Sequence, residues 1–328
     1  MKTQRGFTMI EMTIAIILIG VVTIIVAPLL GELASSQNTA YRTRQITLNR
    51  KIAKAMIEYA KRVSPTGSLP MFYSNNSDLF AAPLNPSDNA QSNVYQMNGV
   101  PLEEANDDNR AAHLLRIFQR IGGLTQTVPL SRRSGPQVTI TFEYGAVYNT
   151  TCSKGASCDK NAPDVSALMT SSNYGTWQPT PPDFGASYVS SWPVQMAMLA
   201  DTDKLAQALQ DAFSRYFDAQ QAANPGSTAN FYPNNGASTV ASASSNQGCW
   251  YSWMSLNNSS LLDTVGLNRT MGVTAWGGNI EYCRDFDATG SSSPDAAPHY
   301  AAIRFNNNVS AGSAPDASIA SNNVILSF

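Results

Sequence analysis

Residues 7–30 are almost uniformly apolar, carry one ionisable side chain, Glu11, and follow directly on a short stretch holding Lys2 and Arg5. No other feature limits the chain as much. Two dozen residues rising ~1.5 Å each match the ~30 Å hydrocarbon core of a bilayer. The positive charges ahead of the run predict a cytoplasmic N-terminus and export of everything after Leu30. A secretory signal peptide would have a shorter apolar core followed by a small-residue cleavage site. Here the chain continues through Pro28, Leu29, Leu30, Gly31 and Glu32 into a helical pattern. A plain signal anchor explains the span but not Glu11. A carboxylate at membrane depth costs on the order of 2.5–3.5 kcal/mol and marks a functional position.

The run Arg5-Gly6-Phe7-Thr8-Met9-Ile10-Glu11 resembles the cleavage and methylation motif of type IV pilins and type II secretion pseudopilins. The resemblance implies that a membrane-embedded prepilin peptidase cuts between Gly6 and Phe7 and methylates the new amine of Phe7. It also implies that Glu11 pairs with the N-terminal amine of a neighbouring subunit. Gly20 and Pro28 fall where pilins carry a helix-weakening glycine and a kinking proline. The short leader and the phenylalanine at the cut are closer to type IVa pilins and pseudopilins than to type IVb. The electrostatics agree, since an amine and a carboxylate are each costly alone in lipid and relieve one another when paired between protomers. Gly20 and Ala15 permit close helix approach, and Pro28 removes a backbone donor, which predicts a kink.

Beyond Gly31 the pattern becomes amphipathic. Ile46, Ala53, Met56, Ile57, Ala60 and Val63 recur at three- and four-residue spacing, and Arg42, Arg44, Arg50, Lys51, Lys54, Lys61 and Arg62 take the other face. Pro65 disfavours helix at Ser64, so one helix over 7–63, ~85 Å long, is expected. Its basic face is read as solvated or filament-lining. Lys and Arg number 21 against 23 Asp and Glu, a slightly acidic balance that does not point to a nucleic-acid partner.

About 265 residues remain for an exported head, enough for two subdomains. They are rich in Ser, Asn, Ala, Gly and Thr. The four cysteines fit an oxidising compartment. Cys152–Cys158 and Cys249–Cys283 are the favoured pairs among three connectivities. Zinc is the rival use, but C-x-x-C pairs are absent and His113 and His299 are the only imidazoles. A helix capped by Asp107 or Asp108 is expected to carry Leu114, Leu115, Ile117, Phe118 and Ile121 and to stop at Gly122-Gly123. A strand is expected over 137–148, with Val138, Ile140, Phe142 and Tyr144 on one side. Ser191 precedes a helix start at Trp192-Pro193, and a strong amphipathic helix covers about 201–222. Residues 225–248 read as a long exposed loop.

Two further segments resemble the same family. Trp276-Gly277-Gly278 running into Cys283 is similar to the aspartate-proline-tryptophan-glycine turn and strand of pseudopilins, with Thr274-Ala275 where the family has an acidic residue. That departure weakens any calcium site carried over from the family. Gly67-Ser68-Leu69-Pro70 resembles the G-x-L-P segment that follows the first helix, with Met71 where many members have cysteine. The stretches 48–70 and 205–233 share a pattern of helix, aromatic residue and polar stretch closing on proline, so the second could open another pilin-like module.

Catalytic patterns are absent: no G-x-S-x-G, no phosphate-binding glycine loop, no H-E-x-x-H. The chain is not expected to be an enzyme. Asp201/Asp203 and Asp285/Asp287 have D-x-D spacing that calcium could use, yet they lack the surrounding acidic cluster, and no cofactor is expected. Trp177, Trp192 and Trp276 are read as core. Trp250, Tyr251 and Trp253, beside Cys249, are the candidate binding surface.

The expected fold is α+β, a long N-terminal helix packed on an antiparallel head with an enlarged second subdomain. The expected divisions are a leader at 1–6, the helix at 7–64, and the head at 65–200 and 201–328. The function expected is a minor, tip or priming, subunit of a type IV pilus-like filament. A type II secretion pseudopilin and a filament-displayed adhesin that binds a surface or sugar are the alternatives. Glu11 argues against the tip pseudopilin that lacks it, and the large head against a major pilin. Expected partners are other pilin subunits, prepilin peptidase, an inner-membrane assembly platform and, before assembly, membrane lipid. The location follows: single-pass in a bacterial inner membrane, then in the filament.

Overall fold

The computed structural model describes residues 9–70, 79–81, 114–130, 136–151, 169–179, 186–234, 236–307 and 311–328. Helix α1 spans Met9–Arg62 and runs unbroken through Gly20 and Pro28. It ends where Pro65 restricts Ser64; the amides of Val63 and Ser64 both donate to the Tyr59 carbonyl, and Gly67 then turns the chain at φ +69°. The expected basic face is exposed throughout, from Arg42 to Arg62. The buried face is led by Leu48, Ile52, Ala55 and Met56, while Val63, expected on it, is 41 % exposed.

That face packs on an antiparallel sheet of order β1-β2-β3-β4, comprising Leu79–Ala81, Leu114–Pro129, Gln137–Thr151 and Ser187–Ser190. Phe118, Val147 and Val189 meet α1, and Asn49 donates to Asn149 across the buried seam at 2.8 Å. Each fully buried side chain of the size of Ile52 or Met56 adds roughly 1.5–3 kcal/mol. The other face of β3 serves two cores. Ala146 and Tyr148 pack with Met169 and Trp177, whereas Val138 and Ile140 join the core of a second lobe.

The helix expected to carry Leu114 to Ile121 is instead strand β2. Its residues pair with β3 from Leu114↔Thr151 to Pro129↔Gln137, with an irregularity between Ile121 and Leu124. Gly122-Gly123 is therefore a bulge within a strand, and Gly123 supplies the positive φ it needs. The apolar spacing suits either period, and long-range pairing selects the strand. Asp107 and Asp108 lie outside the described residues.

Helix α2, Trp192–Ala223, joins the two expected helical stretches into one, with Pro193 in its first turn. The division expected after residue 200 falls inside it. Val194 packs on α1's core, and Leu199, Ala206, Leu209 and Phe213 pack on a second antiparallel sheet. That sheet has order β5-β6-β7-β8, from Met254–Ser255, Glu281–Cys283, Ala302–Phe305 and Val324–Ser327. Phe213 stacks on Tyr282 with ring centroids 4.4 Å apart. The segment 225–248, expected to be exposed, buries Asn230, Tyr232, Pro233, Ala243 and Gly248 and so covers one end of this lobe.

Candidate functional site

The processing residues Gly6 and Phe7 lie outside the described residues. The backbone at Glu11 is helical, within α1, but its side chain, like those of 13–30, is outside the description. Among the described residues no helix is long and apolar enough to cross a membrane. The expected span rests on side chains that are not among them.

The segments singled out after the first helix and ahead of β6 meet at one residue, Gln195 on α2. Its Nε2 donates to the Thr66 carbonyl at 2.7 Å, and its Oε1 accepts from Trp276 Nε1 at 2.7 Å. Gln195 and Trp276 are both buried. A Cβ on Gly67 would lie 2.8 Å from Gln195 Nε2, so close backbone approach requires glycine there. Glu143 of β3 secures the same loop, accepting from the Leu69 amide at 2.6 Å and from Arg120 Nη1 at 3.2 Å. Thr274, where the family resemblance has an acidic residue, uses its hydroxyl to accept the Gly278 amide, and Thr202 Oγ1 accepts the Ala275 amide.

The structure joins Cys249 to Cys283, with Cα atoms 5.9 Å apart. Cys152 and Cys158 lie outside the described residues. Trp250, Tyr251 and Trp253 do not share one exposed surface. Tyr251 is buried, donates to Asp295 Oδ2 at 2.6 Å and accepts from Arg284 Nη1 at 2.8 Å. Trp253 is half-buried beneath the Arg304 guanidinium, 4.5 Å from its ring centroid. Arg304 is itself paired with Glu281 at 2.7 Å inside the lobe. Trp250, also half-buried, donates through Nε1 to Ser292 Oγ.

The expected D-x-D pairs separate. Asp201 bridges to Lys204 and Asp203 accepts from Gln207, both on α2. Asp287 folds its own loop: Oδ1 accepts from the amide and hydroxyl of Thr289, and Oδ2 from the amide and hydroxyl of Ser292. Those donors hold its carboxyl far below the usual range, led by the Ser292 amide. Asp285 is nearly buried, and burial pushes its carboxyl upward despite the donated Asp295 amide. Among the described residues no group of three or more His, Cys, Asp or Glu side chains could hold a metal ion.

Sequence reasoning did not find Gln195, Glu143, Arg304 or Asp295. A glutamine in the first turns of a helix and single charges in short strands form no motif, because their partners are remote in the chain.

Compared with known families, residues 1–27 match the prokaryotic N-terminal methylation motif, the type IV pilin and pseudopilin signature. No curated protein and no solved structure matches the chain.

Proposed function

We propose, from the methylation signature at residues 1–27, that this chain is a minor subunit of a type IV pilus-like filament. The signature carries the reading. It belongs to structural subunits that a prepilin peptidase processes, that are anchored in a membrane and that then assemble with other pilins. The packing of α1 on an antiparallel sheet gives such a subunit its head. In this reading the peptidase cuts between Gly6 and Phe7 and methylates Phe7. Residues 7–30 hold the chain in the inner membrane until an assembly platform extracts it. Glu11 then meets the Phe7 amine of a neighbour, each charge removing the other's burial cost. Two lobes behind one filament helix would crowd a position repeated throughout a filament, which suits a subunit placed sparsely or at the tip.

The test is genetic and biochemical. Glu11→Ala should remain processed and membrane-bound yet be absent from sheared filaments, and Gly6→Ala should leave a slower-migrating, unprocessed band. Normal incorporation of Glu11→Ala would contradict the role of the carboxylate. The signature is shared with type II secretion pseudopilins, so loss of secretion with normal pili on deleting the gene would move the assignment to that machine.

A further inference from the structure

The face of the first sheet turned away from α1 carries a hollow that strand register builds. Gln119 stands directly across from Ala146, and Ala146 directly across from Tyr188, so a single methyl separates two long side chains. Tyr144 and Tyr148 flank that methyl along β3, and Met169 and Trp177 pack over it from the turn at 169–177. Tyr148 meets the Trp177 ring edge-on with centroids 5.5 Å apart, and Tyr188 holds this roof by donating to the Trp177 carbonyl at 3.0 Å. Gln119 and Ala146 are fully buried, Tyr148 and Trp177 nearly so. Among the described residues six buried side-chain polar atoms have no hydrogen-bond partner, and four of them cluster here: both amide atoms of Gln119, the Tyr148 hydroxyl and Trp177 Nε1. Gln119 and Tyr148 are diagonal neighbours on β2 and β3, roughly 7–8 Å apart at the backbone. Side chains of this length reach one small molecule held above Ala146.

We propose that this hollow binds an internal water molecule, which joins Gln119, Tyr148 and Trp177 and so fastens the 169–177 turn to the sheet. The donors and acceptors select the occupant. An indole N–H only donates, an amide side chain offers N–H donors and a carbonyl oxygen, and a phenol hydroxyl does either. Water accepts and donates in the same numbers, and buried waters typically make about three bonds to such groups. An apolar molecule would leave all four atoms unpaired, at the desolvation cost of each. Among the described lining residues there is no carboxylate to hold a cation. An anion would meet donors but no positive charge, because the adjacent Arg120 is engaged by Glu143 on the α1 side. The site goes beyond the filament reading and is measured on the isolated chain, so either can fail alone.

The experiment uses the full chain in detergent micelles, nitrogen-15-labelled at tryptophan. The Trp177 indole signal, assigned as the one lost in Trp177→Phe, should show a nuclear Overhauser effect from water with the sign of a long-lived contact. It should persist when chloride is replaced by gluconate and fall at least about two-fold in Gln119→Leu, which removes both amide atoms. In urea, Gln119→Leu should raise the unfolding equilibrium constant about five-fold, the net worth of a typical hydrogen bond. A dry hollow gives the opposite sign, since an apolar group of similar shape is then the better occupant of the position. Tyr148→Phe removes one hydroxyl and supplies the same comparison if the leucine variant does not fold. No water effect at Trp177, an effect that follows chloride, or a variant more stable than the parent would overturn the proposal.

Discussion

Gln195 shows how much one side chain can settle. It hydrogen-bonds both the loop after α1 and the turn before β6. Gln195→Ala would leave the Trp276 indole N–H buried without a partner, at about 1–3 kcal/mol, while the exposed Thr66 can turn its carbonyl to water. Urea denaturation should report a loss of about 1–3 kcal/mol with an unchanged slope; a loss under about 0.5 kcal/mol would show that water replaces the bond to Trp276. The aspartates of the second lobe respond to pH in opposite senses. Asp287 and Asp316 have carboxyls pulled down by Ser, Thr and Asn donors, so their stabilisation is present above the unfolded value of 3.8 and is lost as pH falls toward the folded one. Asp285 is raised by burial, so its penalty is relieved earlier in the descent, as pH falls through its folded value to 3.8. Local opening at the Ser292 and Ile319 amides should become easier from pH 5 to pH 2, as hydrogen exchange would show. Unchanged opening energies there would contradict the carboxylate-held loops.

At the scale of elements, helices were readable where one period dominates. The basic and apolar faces of α1 after Gly31, the stop at Pro65 and the sweep of α2 each follow from local sequence. Strand β2 was not readable. Leu114, Leu115, Ile117, Phe118 and Ile121 satisfy a helical spacing, and only the partner strand, reached through a hairpin, selects the extended form. The exposed surface expected at 250–253 does not form for a related reason: Tyr251 and Trp253 are drawn inward by Arg284 and Arg304, cations that lie 33 and 51 residues further along the chain. Two element-scale predictions follow from close contacts and cross-links. A Cβ at Gly272 would stand 2.1 Å from the Leu256 carbonyl oxygen, so Gly272→Ala must displace backbone and should lower the Tm of the second lobe by several degrees. Replacing Cys249 and Cys283 together by alanine frees a loop with a sequence separation of 34 and should cost about 3–4 kcal/mol. A thermal scan of either variant that overlays the parent would refute the corresponding contact.

On the scale of the molecule, the head repeats one arrangement, a long helix against a four-stranded antiparallel sheet. We propose that the second occurrence is a pilin-like module without a membrane segment. The two lobes share α2, the β2–β3 hairpin and Asn307, whose side chain donates to the Thr139 carbonyl at 2.6 Å. They should therefore unfold in one calorimetric transition, and two separated peaks would contradict the shared core. The α+β architecture was legible from the long helix and the turn-rich head. The junction at Gln195 was not, because Thr66, Gln195 and Trp276 meet only after folding. The central claim, that Gly6-Phe7 and Glu11 make this chain a processed filament subunit, rests on the first 27 residues and has one direct test. Mass spectrometry of the chain recovered from its native membrane or filament should find Phe7 as the N-terminal residue, carrying one methyl group. A chain that still begins at Met1, or one cut after the apolar run, would contradict it.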